Sequence, residues 1–180
     1  MDEAETGAAV SAMRAVAHPV RLQMLSLLTG TEMSAAEVAR ELDLTHANAS
    51  YHLRVLVDAD EIVVAGEEKI RGGVAKRYRY PHERRGEHAR PDRPTSDDQV
   101  FYARALGQEI ERRIQQRRTD GGSKGFNSDL EGWVSPDAWA KACELLAEAS
   151  FLLHEANRAP RTPGTIHVSH TAWAFQMEQP

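Results

Sequence analysis

Residues 44–56 read LTHANASYHLRVL, and side chains able to hydrogen-bond the edges of planar groups recur there at helical spacing. On a period of 3.6 residues, Ala47, Ser50, Tyr51 and Arg54 share one face, while Ala49, Leu53 and Leu56 share the opposite one. A carboxamide such as Asn48 can pair with adenine and a guanidinium such as Arg54 with guanine or phosphate. Short side chains such as Ala47 and Ser50 let a helix backbone come close to the bases. His46, Ala47, Asn48, Ser50, Tyr51 and Arg54 are therefore the candidates for reading base edges. His52 flanks the apolar face and is expected to pack. Taken alone, such a helix better suits plain solvation of a polar face, so its neighbours have to decide.

A second group is cationic. The formal net charge is -5, yet residues 69–93 concentrate Lys and Arg, and the distribution matters more than the sum. Lys69, Arg71, Lys76, Arg77 and Arg79, with Ser34 at a helix N-terminus, are the candidates for backbone phosphates, which give affinity without sequence information. Arg84, Arg85, Arg90 and Arg93 read as a solvated linker.

The elements that would hold these groups follow one another closely. HPVRLQMLSLLTG has Pro19 suited to a first helical position, Leu22, Leu25 and Leu28 on one face, and Gly30 as a stop. SAAEVARELDL opens with Ser34 and Glu37 in capping-box spacing. Thr45 is placed to cap the helix that runs to about Asp58. EIVVAGEEKIRGGVAKRYRY then predicts two β segments about Gly72-Gly73, with Tyr78 and Tyr80 turned to the core.

In that order, HPVRLQMLSLL, SAAEVARELDL, THANASYHLRVLVDADEIV and GGVAKRYRY resemble the winged helix-turn-helix of the ArsR family of bacterial repressors. The resemblance spans residues 17–80. It implies a homodimer that inserts the 45–58 helix into the major groove of double-stranded DNA, lays the 63–80 hairpin along the backbone or minor groove, and represses transcription. The rival expectation is a winged helix used for protein contacts without specific DNA binding, which would show no salt-dependent affinity for DNA.

The expected fold is mainly α (α+β): a DNA-binding domain over 10–82, a linker over 83–96 rich in charge, Pro and Gly, and a helical dimerisation and effector-binding region over 97–176. In the last region, Val100, Ala103, Leu106, Ile110 and Ile114 form an apolar stripe that needs a partner. A further helix opens with Ser135, Pro136 and Asp137 and carries Trp139, Cys143, Leu146, Ala149 and Leu153 as a seam expected to be buried. TIHVSHTAWAF is β-branched and aromatic and predicts a terminal strand. Phe101, Trp133, Trp139, Phe151, Trp173 and Phe175 suit a dimer core, with an apolar effector pocket as their second use.

Other chemistries find little here. The family's usual metal sites, cysteines on the helix before the recognition helix or His and acids on a helix after the wing, are missing from this sequence. His167 and His170, three apart on the expected strand, would point to opposite faces. No metal and no cofactor are expected. The sequence holds no phosphate loop or nucleophile–base pairing, and Cys143 sits on an apolar seam where a thiolate is disfavoured, so no enzyme is expected. No apolar run approaches the roughly 18 residues that span a bilayer, and MDEAETGAAV is acidic where a secretory leader is basic, so the expected location is the cytoplasm, away from membranes.

Overall fold

The computed structural model describes residues 12–71, 73–81, 95–119 and 125–178. After a short helical segment at 12–16 come α1 (Pro19–Gly30), β1 (Met33–Ser34), α2 (Ala35–Glu41), α3 (His46–Asp58), β2 (Val63–Ile70), β3 (Gly73–Arg79), α4 (Ser96–Gln115) and α5 (Pro136–Ala156). Helices followed by a small antiparallel sheet give the mixed α+β class that the sequence predicts.

Local chemistry explains the helix starts. Pro19 sits in the first turn of α1, where its missing N–H leaves no hydrogen bond unmade, and the His18 ring accepts from the Val20 N–H. At α2 the capping box is complete, with Ser34 N–H donating to Glu37 Oε2 at 2.7 Å and Glu37 N–H to Ser34 Oγ at 3.3 Å. Thr45 caps α3 by accepting from Asn48 N–H. Between α2 and α3 the chain reverses at Asp43, whose φ of 52° is one that Asp tolerates better than most residues.

The core lies where α1, α2 and α3 meet. Met24, Leu28, Val38, Ala49, Leu53 and Leu56 are sealed from solvent, and Tyr78 and Tyr80 close the cluster from the hairpin as expected. The sheet order is β1-β3-β2, so β3 is central. Met33 pairs with Tyr78, and the Tyr80 N–H donates to the Leu28 carbonyl at 3.0 Å, which sews the wing to the helices. A register shift between Val64 and Gly66 bends β2. Gly73, at φ 155°, occupies the turn; Gly72 lies outside the described residues.

The region after the wing departs from expectation in three ways. First, α4 buries two carboxylates as it docks, and its expected apolar stripe is half-buried at Ala103, Leu106 and Ile110 and exposed at its two ends. Asp98 and Glu109 are buried with Ala105, whereas Val100 is 47% and Ile114 64% exposed. Asp98 accepts from Thr95 Oγ1 at 2.7 Å and Arg14 Nε at 3.0 Å. Glu109 accepts from Gln23 of α1 and from Arg112 and Arg113, each at 2.9 Å. Hydrogen bonds from Thr95 and Arg14 hold the Asp98 carboxyl below its usual range. At Glu109 burial pushes the carboxyl up, but the hydrogen bonds from Arg112, Arg113 and Gln23 outweigh it and leave it lowered.

Second, the seam expected to be buried on α5 is not enclosed. Trp139 and Cys143 are half-buried, while Leu146, Ala149 and Leu153 are exposed; among the described residues α5 packs most closely against α1, and no further layer covers it. Third, the predicted C-terminal strand does not form. Residues 165–178 adopt no regular structure, and the β-branched and aromatic content of that segment meets no strand edge to pair with. The expected linker at 83–96 falls outside the described residues save Thr95 and Ser96, and α4 already begins at Ser96. Among the described residues no helix is long and apolar enough to cross a membrane.

Candidate nucleic-acid interface

α3 divides as its spacing predicts. Ala49, Leu53 and Leu56 are fully buried against α1 and α2. His46, Ala47, Asn48, Tyr51 and Arg54 are exposed and Ser50 is half-buried, so all six sequence-derived candidates are accessible, with Ala47, Ser50, Tyr51 and Arg54 opposite the buried stripe and His46 and Asn48 at its borders. Tyr51, at 56% exposed, is a large aromatic held out in water by a helix whose other side is locked in the core. Such a helix can enter a groove without disturbing the packing behind it.

His52 packs, as expected, and with an unexpected partner. Its ring lies 4.7 Å from that of His18 and 5.2 Å from that of Tyr51, and its Nδ1 is buried without a hydrogen bond. Burial lowers the pKa of both histidines, with Arg21 acting in the same direction. The pair is therefore neutral at pH 7 and forms an uncharged support beneath the first turns of α3.

At the wing, Lys69, Arg71 and Lys76 are exposed on the hairpin, and Arg79 is half-buried at its base. Lys76 faces Glu67 in the β2–β3 register. Tyr78 packs against the helical core from the hairpin, where burial raises its pKa and the Arg54 charge opposes that rise.

Two candidates have other occupations. The Ser34 hydroxyl is buried in the capping box, where it accepts from Glu37 N–H and lies 2.9 Å from Glu37 Oε2, so it is turned away from any ligand. Arg77 bridges three elements: Nη1 lies 3.0 Å from both Glu37 of α2 and Glu68 of β2, and Nη2 donates to the Glu32 carbonyl. The backbone hydrogen bond from Ser34, with Arg77 assisting, lowers the Glu37 pKa. Arg77 thus acts as the clasp between wing and helices. Sequence reasoning missed this role, because the Glu37 carboxylate and the Glu32 carbonyl come beside Arg77 only when the wing folds against the helices.

Residues 16–62 match the family model described as a helix-turn-helix domain. The match covers α1 to α3 and places there a DNA-binding element of the kind found in transcription regulators; it stops before the hairpin. No curated protein matches the chain. α3 is the last of the three helices within the match, and DNA-binding helix-turn-helix domains present the second helix of their pair to the major groove.

The aromatic candidates for an effector pocket or dimer core sit differently. Phe101, Trp133, Phe151, Trp173 and Phe175 are exposed and Trp139 is half-buried. Trp173 meets Tyr102 of α4 at 5.7 Å and Phe175 at 5.9 Å, both edge-on. One chain alone does not bury the set.

Proposed function

We propose that the chain is a homodimeric transcriptional repressor of the ArsR kind, non-catalytic, acting in the cytoplasm. Two copies of α3 read a pseudo-palindromic operator whose half-sites lie about one helical turn, ~34 Å, apart. The observation that carries this reading is the exposed set His46, Ala47, Asn48, Ser50, Tyr51 and Arg54 on a helix anchored behind by Ala49, Leu53 and Leu56. In this reading Lys69, Arg71, Lys76 and Arg79 supply phosphate neutralisation from the wing.

Dimerisation is assigned to residues 97–176. Supporting it is the apolar stripe of α4, whose Val100 and Ile114 face water while the helix docks through Asp98 and Glu109. The exposed aromatics of the same region supply further surface to bury, and a small apolar effector that entered among Trp173, Phe175 and Tyr102 would bias the dimer toward a spacing that no longer fits the operator.

The test is fluorescence anisotropy with DNA from upstream of the chain's own gene, against random DNA, across a salt series. The expected outcome is preferential binding that weakens steeply with salt, and a Tyr51→Ala variant that loses the preference while keeping its affinity for random DNA. Equal affinity of the unsubstituted chain for every fragment, including that upstream region, would refute operator recognition.

A further inference from the structure

α5 carries a second apolar stripe. Ala138, Ala142, Leu145, Ala149, Leu152 and Ala156 follow one another at spacings of four, three, four, three and four residues, the interval at which a helix keeps one seam toward a partner helix. All six are exposed, with Leu145 at 52% and Leu152 at 66%. The half-buried residues Trp139, Cys143, Ser150 and His154 lie on the adjoining side, toward the chain's own body. Polar side chains flank the seam on its other border, at Lys141, Glu148 and Glu155.

We infer that α5 pairs antiparallel with α5 of a second copy of this chain, through this Ala/Leu seam. The inference rests on the dimer reading above and names its contact. The sequence of the seam is self-complementary in that orientation. With the two-fold axis passing near residue 147, Leu145 faces Ala149 of the other copy, Leu152 faces Ala142, and Ala138 faces Ala156. Each leucine meets an alanine, so large fits small and the helices can approach to the short end of the usual 8–10 Å range. In a parallel pair Leu145 and Leu152 would meet their own images, as would every alanine, and the size matching is lost.

Charge points the same way. The antiparallel register sets Lys141 beside Glu155 of the other copy, twice by symmetry, against a single Glu148–Glu148 repulsion at the axis. Lys141 at present bridges Glu144 of its own helix at 2.6 Å, a pair roughly two-thirds exposed and readily exchanged. A 21-residue helix, ~31 Å long, presents one face of the ~800 Å² that a stable interface takes from each partner.

The experiment is sedimentation equilibrium on the full chain from roughly 0.5 to 100 µM, a span that brackets typical dimer affinities. Leu145→Glu and Leu152→Glu are each expected to weaken the dimer by at least about a hundredfold, since the introduced carboxylates would face alanine in a closed seam. Both positions are exposed in the monomer, so the fold is retained, which far-UV circular dichroism reads directly. Lys141→Glu is expected to weaken the dimer about tenfold, and adding Glu155→Lys to restore it to within about twofold. Restoration is the signature of the antiparallel register.

A dimer indifferent to both leucine substitutions and to the charge swap overturns the seam while leaving the dimeric regulator intact. A chain that stays monomeric at every concentration overturns the seam and dimerisation together, and assigns the α5 face to a different protein.

Discussion

Arg77→Ala separates two roles that a cation on a wing can play. If Arg77 acts as a clasp, its removal releases the ion pairs to Glu37 and Glu68 and the hydrogen bond to the Glu32 carbonyl. Both partners of the Glu37 pair are roughly a quarter to a third exposed and Glu68 is more so. Each contact is therefore discounted toward the surface value, and the sum comes to about 1–2 kcal/mol of unfolding free energy. The salt dependence of DNA binding should stay as it is, because no phosphate contact has been removed. Lys76→Ala, exposed on the same strand, should show the reverse: stability within about 0.5 kcal/mol of the parent, and a slope of log K against log salt smaller by about 0.9. Urea denaturation followed by circular dichroism gives the first quantity and anisotropy from 50 to 200 mM salt, roughly the span over which such slopes are well resolved, gives the second. An Arg77→Ala protein of unchanged stability whose slope falls by about one would refute the clasp and return Arg77 to the phosphate contacts.

Three further outcomes follow from the packing. His18 and His52 are held below their unfolded value of 6.5, so the folded state binds fewer protons than the unfolded one. The stability this provides is complete above pH 6.5 and is lost as pH falls toward the lowered folded values; urea midpoints should drop between pH 7 and 5 in the parent and less so in His52→Leu, and a flat profile would contradict the buried neutral pair. Leu53→Ala empties a fully buried site behind the reading face and should cost about 2–5 kcal/mol, with a loss under 1 kcal/mol in urea denaturation arguing against a closed core. Gly30→Ala would put a methyl group 2.7 Å from the Arg158 carbonyl oxygen; helix propensity alone favours alanine by about 1 kcal/mol, so a net destabilisation, together with faster hydrogen exchange over 157–165, would report the clash, and a net gain would show that this segment does not rest on α1.

The legibility of the sequence follows the physics of each element. α1, α2 and α3 could be placed within a residue or two because Pro19 removes one orphan amide and the Ser34–Glu37 pair and Thr45 satisfy others locally, and a cap needs no knowledge of the rest of the fold. The reading face of α3 was legible for a related reason, since a helix with one apolar side has only one other side to show. Strand β1 escaped notice because Met33–Ser34 is two residues long and becomes a strand only by pairing with β3. Gly30 reads as a helix stop, and α1 ends there; the close approach of the Arg158 backbone, which leaves no room for a side chain, was not legible. The occupation of Arg77 by Glu37, Glu68 and Glu32 was equally invisible, since those partners lie up to 45 residues away along the chain.

Beyond the wing, periodicity identified apolar stripes but could not say what covers them. On α4 the stripe from Val100 to Ile114 is the obvious face to bury. The helix instead turns Asp98 and Glu109 inward, because Arg14 and Gln23 on the helices beneath it, together with Thr95, Arg112 and Arg113, can satisfy two carboxylates that would otherwise be too costly to enclose. On α5 the two candidate seams share Ala149 and elsewhere lie one residue apart, a rotation of about 100°, and each reads as a heptad stripe. Trp139 and Cys143 of the first are half-buried toward the chain's own body, while its Leu146 and Leu153 and the whole of the seam carrying Leu145 and Leu152 are exposed. A pattern that one chain cannot satisfy within itself is information about assembly. The alternation of leucine with alanine along the uncovered seam, self-complementary only when two copies run in opposite directions, is where that information is densest.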